Sequence, residues 1–264
     1  MLALLAGTGA LPTVLADALP EKPLVCALDG FAPDDLHPDI TYRLETVGSL
    51  LAELKARGVT DVVMAGAIRR PQVDPSRIDA ATLPLVPVLQ AALAASDDAA
   101  LGAVIGLFET AGFAVRAAHE IAPSLLPAAG VLGQVHPEDS DRSDAARGLD
   151  ALAKASAADI GQSCAVKAGQ VLAFEAIFGT AWMLHSLQQR PDGAGGVFCK
   201  APKRGQERRA DLPTIGVDTV AQVAQAGLRG LVLEAGGVMV LNLAEVVAAC
   251  DAAGLFLWVQ EPRG

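Results

Sequence analysis

No two cysteines in this sequence stand close enough to make a C-x-x-C pair. Cys26, Cys164, Cys199 and Cys250 are scattered along the chain. That spacing argues against a structural zinc site and against a disulfide framework, and predicts reduced thiols that act as small buried hydrophobes. There is no run of ~20 apolar residues, so no segment is expected to span a membrane. Residues 1–6 are apolar but have no basic flank, and Gly7-Thr8-Gly9 and Pro12 interrupt them early, unlike a signal peptide. A cytoplasmic protein is expected. Positive charge is also short: 20 Lys and Arg against 30 Asp and Glu leave a formal net charge of −10. A groove for DNA or RNA needs a positive field, so no nucleic-acid partner is expected. The motifs G-x-S-x-G, H-E-x-x-H and Walker A are absent, which leaves nucleophilic serine, zinc peptidase and P-loop chemistry without support.

What is present is an apolar chain long enough for two domains. Its 264 residues are 52% hydrophobic and 19% charged. Two ordinary cores would absorb the apolar excess, and so would a groove for acyl chains. Residues 2–6 read as a buried strand ending in Gly-Thr-Gly, followed by a helix over 13–19 with Pro12 in its first turn. Strands follow at 24–28, 61–65 and 113–118, and helices at 49–57, 83–95 and 97–111. This alternation predicts a Rossmann-like parallel sheet with helical cover over residues 1–125. Prolines, glycines and a charged run break the pattern, and 126–143 is read as a linker. Residues 144–264 read as a mixed α+β domain. A helix over 144–157 is expected, capped by Ser143. Hairpins are expected about Ala168-Gly169 and about Ala235-Gly236-Gly237. Further helices fit at 180–189, 217–226 and 244–253, and a last strand at 255–259.

Five features carry possible chemistry. Gly7-Thr8-Gly9 follows the first strand, where backbone amides of a glycine turn attract phosphate. Asp29 lies where a dinucleotide fold places its ribose acid, but Pro12 occupies the position of the third glycine. A tight strand–helix turn and a nucleotide-binding turn stay open as alternatives. Asp97-Asp98 reads either as a helix cap or as a ligand for Mg²⁺ or a sugar hydroxyl. His119-Glu120 lies just past a strand end, where α/β sheets bind ligands. Glu175, closing an apolar strand, is a candidate metal ligand or general base, with Thr180 as a helix cap beside it. The densest feature spans 200–218. Lys200, Lys203, Arg204, Arg208 and Arg209 fall within ten positions of an acidic chain, and Asp211 and Asp218 follow. Cations for phosphate oxygens beside carboxylates that hold a metal or orient water are what diphosphate cleavage needs.

Read in order, these segments resemble one family. They are 6–12 (Ala-Gly-Thr-Gly-Ala-Leu-Pro), 63–71 (Val-Met-Ala-Gly-Ala-Ile-Arg-Arg-Pro), Asp97-Asp98-Ala99, Ala118-His119-Glu120, 159–162 (Asp-Ile-Gly-Gln) and Gly179-Thr180. The run from Lys200-Ala-Pro-Lys203 through Asp211-Leu-Pro-Thr214-Ile-Gly216 to Asp218-Thr219-Val220 completes the set. Together they are similar to the LpxI-type UDP-2,3-diacylglucosamine pyrophosphatases of lipid A biosynthesis. The resemblance implies two domains and a Mg²⁺-assisted hydrolysis that yields UMP and 2,3-diacylglucosamine 1-phosphate. Asp218, Asp211, Lys200 and Lys203 are then expected to be catalytic, with Asp218, Asp211 and Glu175 holding the metal. Gly7, Gly9, Arg69, Asp98, His119, Glu120, Thr180, Gln206, Arg209 and Thr214 are expected to bind a lipid-linked UDP-sugar. Such a substrate implies transient contact with the inner face of a membrane, and a homodimer is left open. The family tends to read Glu-Gly-Thr-Asp where this chain reads Phe178-Gly179-Thr180-Ala181. Two readings rival it: an NAD(P)-dependent oxidoreductase and a non-catalytic carrier of nucleotide-sugar or lipid.

Overall fold

Leu2–Ala6 and Leu24–Leu28 are unbroken apolar runs, and nearly every residue in them is buried. Runs of that kind belong in a parallel sheet covered on both faces, not in a sheet with one wet side. The computed structural model describes residues 1–69, 71–95 and 97–262, without the side chains of Asp97 and Asp98. The chain forms two compact units, Met1–Pro123 with Glu207–Asp211, and Ser124–Gln206 with Leu212–Gly264.

The first unit is a five-stranded parallel sheet. In chain order its elements are β1 (Leu2–Ala6), α1 (Leu11–Ala18), β2 (Leu24–Leu28), β3 (Ile40–Tyr42), α2 (Val47–Ala56), β4 (Asp61–Ala65), α3 (Val86–Ala94), α4 (Asp97–Thr110), β5 (Ala114–Arg116) and α5 (Ala118–Ile121). The strand order is β3-β2-β1-β4-β5. Leu4 pairs with Val25 on one side and Val63 on the other. The order reverses between β1 and β4, the point at which open α/β sheets bind ligands. Leu5, Cys26, Val62, Ile105 and Phe108 are among the core residues. The parallel α/β expectation is met. β3, a three-residue edge strand, was too short to leave a pattern in the sequence.

The second unit carries a mixed six-stranded sheet. Its elements are β6 (Gly130–Leu132), α6 (Asp139–Ala155), β7 (Ser163–Lys167), β8 (Gln170–Phe174), α7 (Gly179–Ser186), β9 (Val197–Lys200), β10 (Thr214–Ile215), α8 (Val217–Gln225), β11 (Gly230–Glu234), β12 (Met239–Val240), α9 (Leu243–Ala253) and β13 (Phe256–Gln260). The sheet runs β6-β13-β11-β9-β7-β8, with β13, β11 and β9 parallel and the outer strands antiparallel. Alternate residues supply its two faces. Ala165, Phe198, Leu231, Leu233 and Leu257 point toward α7, α8 and α9. Cys164, Cys199, Val232 and Phe256 point toward Ala145, Leu149 and Leu152 of α6. Full burial of the leucine, valine and phenylalanine side chains among these contributes roughly 1.5–3 kcal/mol each. Within α6, Gly148 leaves room for the sheet, since a Cβ there would stand 2.4 Å from Cys199 Sγ. All four cysteines are free and buried, as their spacing predicts.

Two local expectations are corrected. The hairpin about Ala168-Gly169 forms, with both residues at positive φ as a two-residue turn requires. The hairpin about Ala235-Gly236-Gly237 does not. β11 already has parallel partners on both sides, so residues 238–241 leave the sheet, and β12 pairs in parallel with β10 instead. Nor does Ser143 start a helix. α6 begins at Asp139, where Asp141 Oδ2 accepts the Glu138 amide at 2.9 Å, and Ser143 Oγ donates to the Asp139 carbonyl inside the helix. The charged run opens this helix because two of its acids are buried with partners. Asp141 accepts from Arg229, and Asp144 accepts the amides of Ala168 and Gly169 at the hairpin turn.

Candidate active site

In the second unit, three neighbouring strand ends build a polar cluster. Ser163 opens β7 and is the register partner of Lys200, the last residue of β9. Glu175 follows β8, and its amide donates to the Ser163 carbonyl at 2.9 Å. Thr180 enters from the first turn of α7. One carboxylate oxygen, Glu175 Oε2, accepts from Ser163 Oγ at 2.6 Å and from Thr180 Oγ1 at 3.0 Å. Lys200 Nζ donates to Thr180 Oγ1 at 2.7 Å and lies 3.8 Å from the same carboxylate oxygen. Lys200 is only 5% exposed. A buried ammonium is tolerated only where it is paired and hydrogen-bonded, and this cluster supplies both.

The structure thus gathers three of the expected residues, Lys200, Glu175 and Thr180, and adds Ser163, which the sequence reading missed. The signal for Ser163 lay in register: it is the residue of β7 that pairs with the lysine. Lys203, three residues on, forms an ion pair with Asp159, another unanticipated partner. Gln206 is nearly buried, and its Oε1 accepts the Lys203 amide at 3.0 Å, so it staples the turn. Thr214 lies on β10 with its hydroxyl donating to the Leu212 carbonyl. Asp218 is exposed in the first turn of α8, after an N-cap at Gly216.

In the first unit, the loops after β1 and β4 cross each other at the reversal of strand order. Gly7 N donates to the Ala65 carbonyl at 2.7 Å, and Thr8 and Ala67 exchange two backbone hydrogen bonds. A Cβ on Gly7 would stand 2.6 Å from the Ala67 oxygen, so the crossing itself demands glycine there. Gly9 has a φ of 92°, a left-handed turn into α1. Arg69 is exposed in the β4 loop. Asp29 is held by Arg43 Nη1 at 2.7 Å. Asp98 falls in the first turn of α4, and its side chain lies outside the described residues.

His119 and Glu120 part company in α5. Glu120 Oε2 accepts from the Ala117 amide and from Arg116 Nε, each at 3.0 Å, which closes the start of the helix. Those bonds, the amide first, hold its carboxyl below the usual range. Burial and then the nearby Arg208 guanidinium push His119 below an ordinary histidine, while Glu120 pulls weakly the other way. Its Nδ1 is buried without a hydrogen-bond partner among the described residues. Arg209 forks onto Glu207, with two contacts of 2.8 Å, and donates to Glu109 on α4 at 2.6 Å. Its guanidinium therefore anchors residues 207–211 to α4. The Asp211 amide donates to the Glu207 carbonyl at 3.1 Å.

Among the described residues, no three His, Cys, Asp or Glu side chains are gathered to hold a metal ion. Glu175, expected as a ligand, is committed to two hydroxyls and Lys200. A magnesium ion bound through one or two carboxylates, waters and substrate phosphates needs no such cage. The exposed Asp218 fits that manner of binding.

Residues 1–125 match the family model described as the LpxI N-terminal domain, and residues 128–258 match that described as the LpxI C-terminal domain. The chain is 38% identical over 274 aligned residues to the UDP-2,3-diacylglucosamine pyrophosphatase LpxI of Caulobacter vibrioides, an alignment that covers 99% of this chain and 98% of that one.

Proposed function

The chain belongs to the LpxI family, and we propose that it hydrolyses the diphosphate of UDP-2,3-diacylglucosamine to UMP and 2,3-diacylglucosamine 1-phosphate. The observation that carries this reading is the end-to-end match to a relative named for that reaction. The buried Lys200 cluster agrees with it chemically.

Water attacks phosphorus, the bridging P–O bond breaks, and negative charge grows on the departing phosphate. Groups that meet this charge without reorganising give the largest share of catalysis. Lys200 is such a group: Glu175 and Thr180 hold its ammonium in one place before substrate arrives. Lys203, pinned by Asp159 and by the Gln206 staple, adds a second cation in the loop after β9. Glu175 serves here to position the lysine, with Ser163 fixing Glu175 in turn. Mg²⁺, when bound through Asp218, would polarise the phosphoryl oxygens. In the first unit, Gly9, Arg69 and His119 are the residues proposed to receive the nucleotide or sugar.

The deciding measurement is UMP release from UDP-2,3-diacylglucosamine, with Mg²⁺ and again with EDTA. Release in both conditions keeps the hydrolase and removes the metal. Tight substrate binding without release under either condition would replace the hydrolase with a carrier.

A further inference from the structure

α7 packs into the core with Met183, Leu184 and, just past its end, Leu187. Its other side and the residues before it are left in water. Ile177 is 89% exposed, Phe178 70% and Trp182 58%. Phe178 and Trp182 lie against each other, ring centroids 5.2 Å apart. Single exposed apolar residues are ordinary, but three large ones in six positions, two of them aromatics in tilted contact, form a patch. This patch begins two residues after Glu175 and flanks Thr180, so it borders the polar cluster on Lys200.

We infer that Ile177, Phe178 and Trp182 form a surface that docks the protein on a lipid bilayer during substrate uptake. The inference rests on the proposed function, because a diacylated sugar nucleotide is an amphiphile drawn from a membrane. Charge agrees with a lipid occupant. A chain of net charge −10 is repelled by anionic headgroups, yet residues 176–191 contain no Asp or Glu. The patch is thus an acid-free apolar surface on an acidic protein. Tryptophan also settles at the headgroup boundary, and phenylalanine serves on the apolar face of interfacial segments. Docking there would hold the acyl chains at the bilayer while the diphosphate reaches Lys200.

The test uses the full chain and vesicles of phosphatidylethanolamine and phosphatidylglycerol. With Trp258→Phe, Trp182 is the sole tryptophan. Its emission should shift to the blue on vesicle addition and be quenched by brominated lipid. The double variant Ile177→Ser, Phe178→Ser should lose partition by about tenfold or more, from the apolar area removed. Position 178 is the N-cap of α7, where serine is favoured, so the fold should hold. The double variant should hydrolyse a dispersed short-acyl analogue at the parent rate. Equal partition of parent and double variant overturns the docking surface. So does a parent that dimerises through this patch and ignores vesicles, with a monomeric variant, as light scattering would show. Failure of the parent on the dispersed analogue overturns the hydrolase instead, and the vesicle measurement still reads the surface.

Discussion

Ser163 and Lys200 face each other across β7 and β9, and both converge on a single oxygen of Glu175, at 2.6 Å and 3.8 Å. The serine meets that oxygen with a neutral hydroxyl and the lysine with a charged ammonium. Glu175 couples the two side chains.

Removing Lys200 therefore leaves the part-buried Glu175 carboxylate without that cation. Lys200→Met should cost about 3–5 kcal/mol, the usual result of breaking a buried pair. Ser163→Ala should cost about 1.5–3 kcal/mol for a lost bond to a charged acceptor. Glu175→Gln should lower kcat more than it raises KM, since the lysine is loosened and not removed. Urea melts and steady-state kinetics check these. A Ser163→Ala protein with unchanged stability would detach that residue from the cluster.

Asp218→Ala should leave the melting curve within about 1 kcal/mol, since the side chain is exposed and adds only a helix-dipole term. Turnover should fall by a factor of order a hundred or more if the aspartate serves the diphosphate. Near-parent UMP release would remove it from the reaction.

His119 offers a titration. Its pKa is depressed, first by burial and then by Arg208. A folded protein that resists protonating His119 gains stability as pH rises toward the ordinary histidine value near 6.5, and loses it as pH falls toward the depressed value. Arg208→Ala should raise the His119 pKa part of the way, leaving the burial contribution. Imidazole proton shifts followed by NMR read this directly, and an unmoved titration would show that Arg208 plays no part.

The thiols give a contrasting case. Burial pushes Cys26 up to about 12 and Cys250 up to about 11. The folded state then holds these protons longer than the unfolded chain, so their share of stability is intact at neutral pH and drains away above pH 9. A thiol reagent at pH 8 should label none of the four cysteines until denaturant is added. Fast labelling of any one of them in the folded protein would contradict its burial.

Gly7→Ala pushes a Cβ against the Ala67 oxygen at the loop crossing. A loss of about 1–3 kcal/mol is expected from overpacking. Gly9→Ala meets no atom but must hold a φ of 92°, which costs roughly 1–2 kcal/mol. Thermal melts of the two variants separate crowding from backbone strain.

Much of the fold was legible in the sequence where one residue type has one reason to be present. Continuous apolar runs gave β1, β2 and β4. Ala168-Gly169 gave its hairpin because a two-residue turn admits few residues. The misreadings arose where two outcomes share one pattern. Residues 238–241 look like a return strand, and only the crowding of β11 on both sides sends them elsewhere. Residues 138–144 look solvated, and only Arg229 and the hairpin amides explain why two of those acids are buried. Gly7 reads equally as part of a phosphate turn and of a tight strand–helix turn, and the crossing with the loop after β4 supplies the reason for the glycine. Ser163 left no trace because its meaning comes from the strand beside it.

Arg209 has a consequence for how this chain is made. It ties residues 207–211 to Glu109, and that segment belongs to the first unit although it is synthesised long after Pro123. The first unit is therefore discontinuous along the chain. On the ribosome it waits, one segment short, until residue 211 has emerged. A protein cut once after residue 125 would yield a leading half that lacks its last piece, and a trailing half that carries a piece not its own.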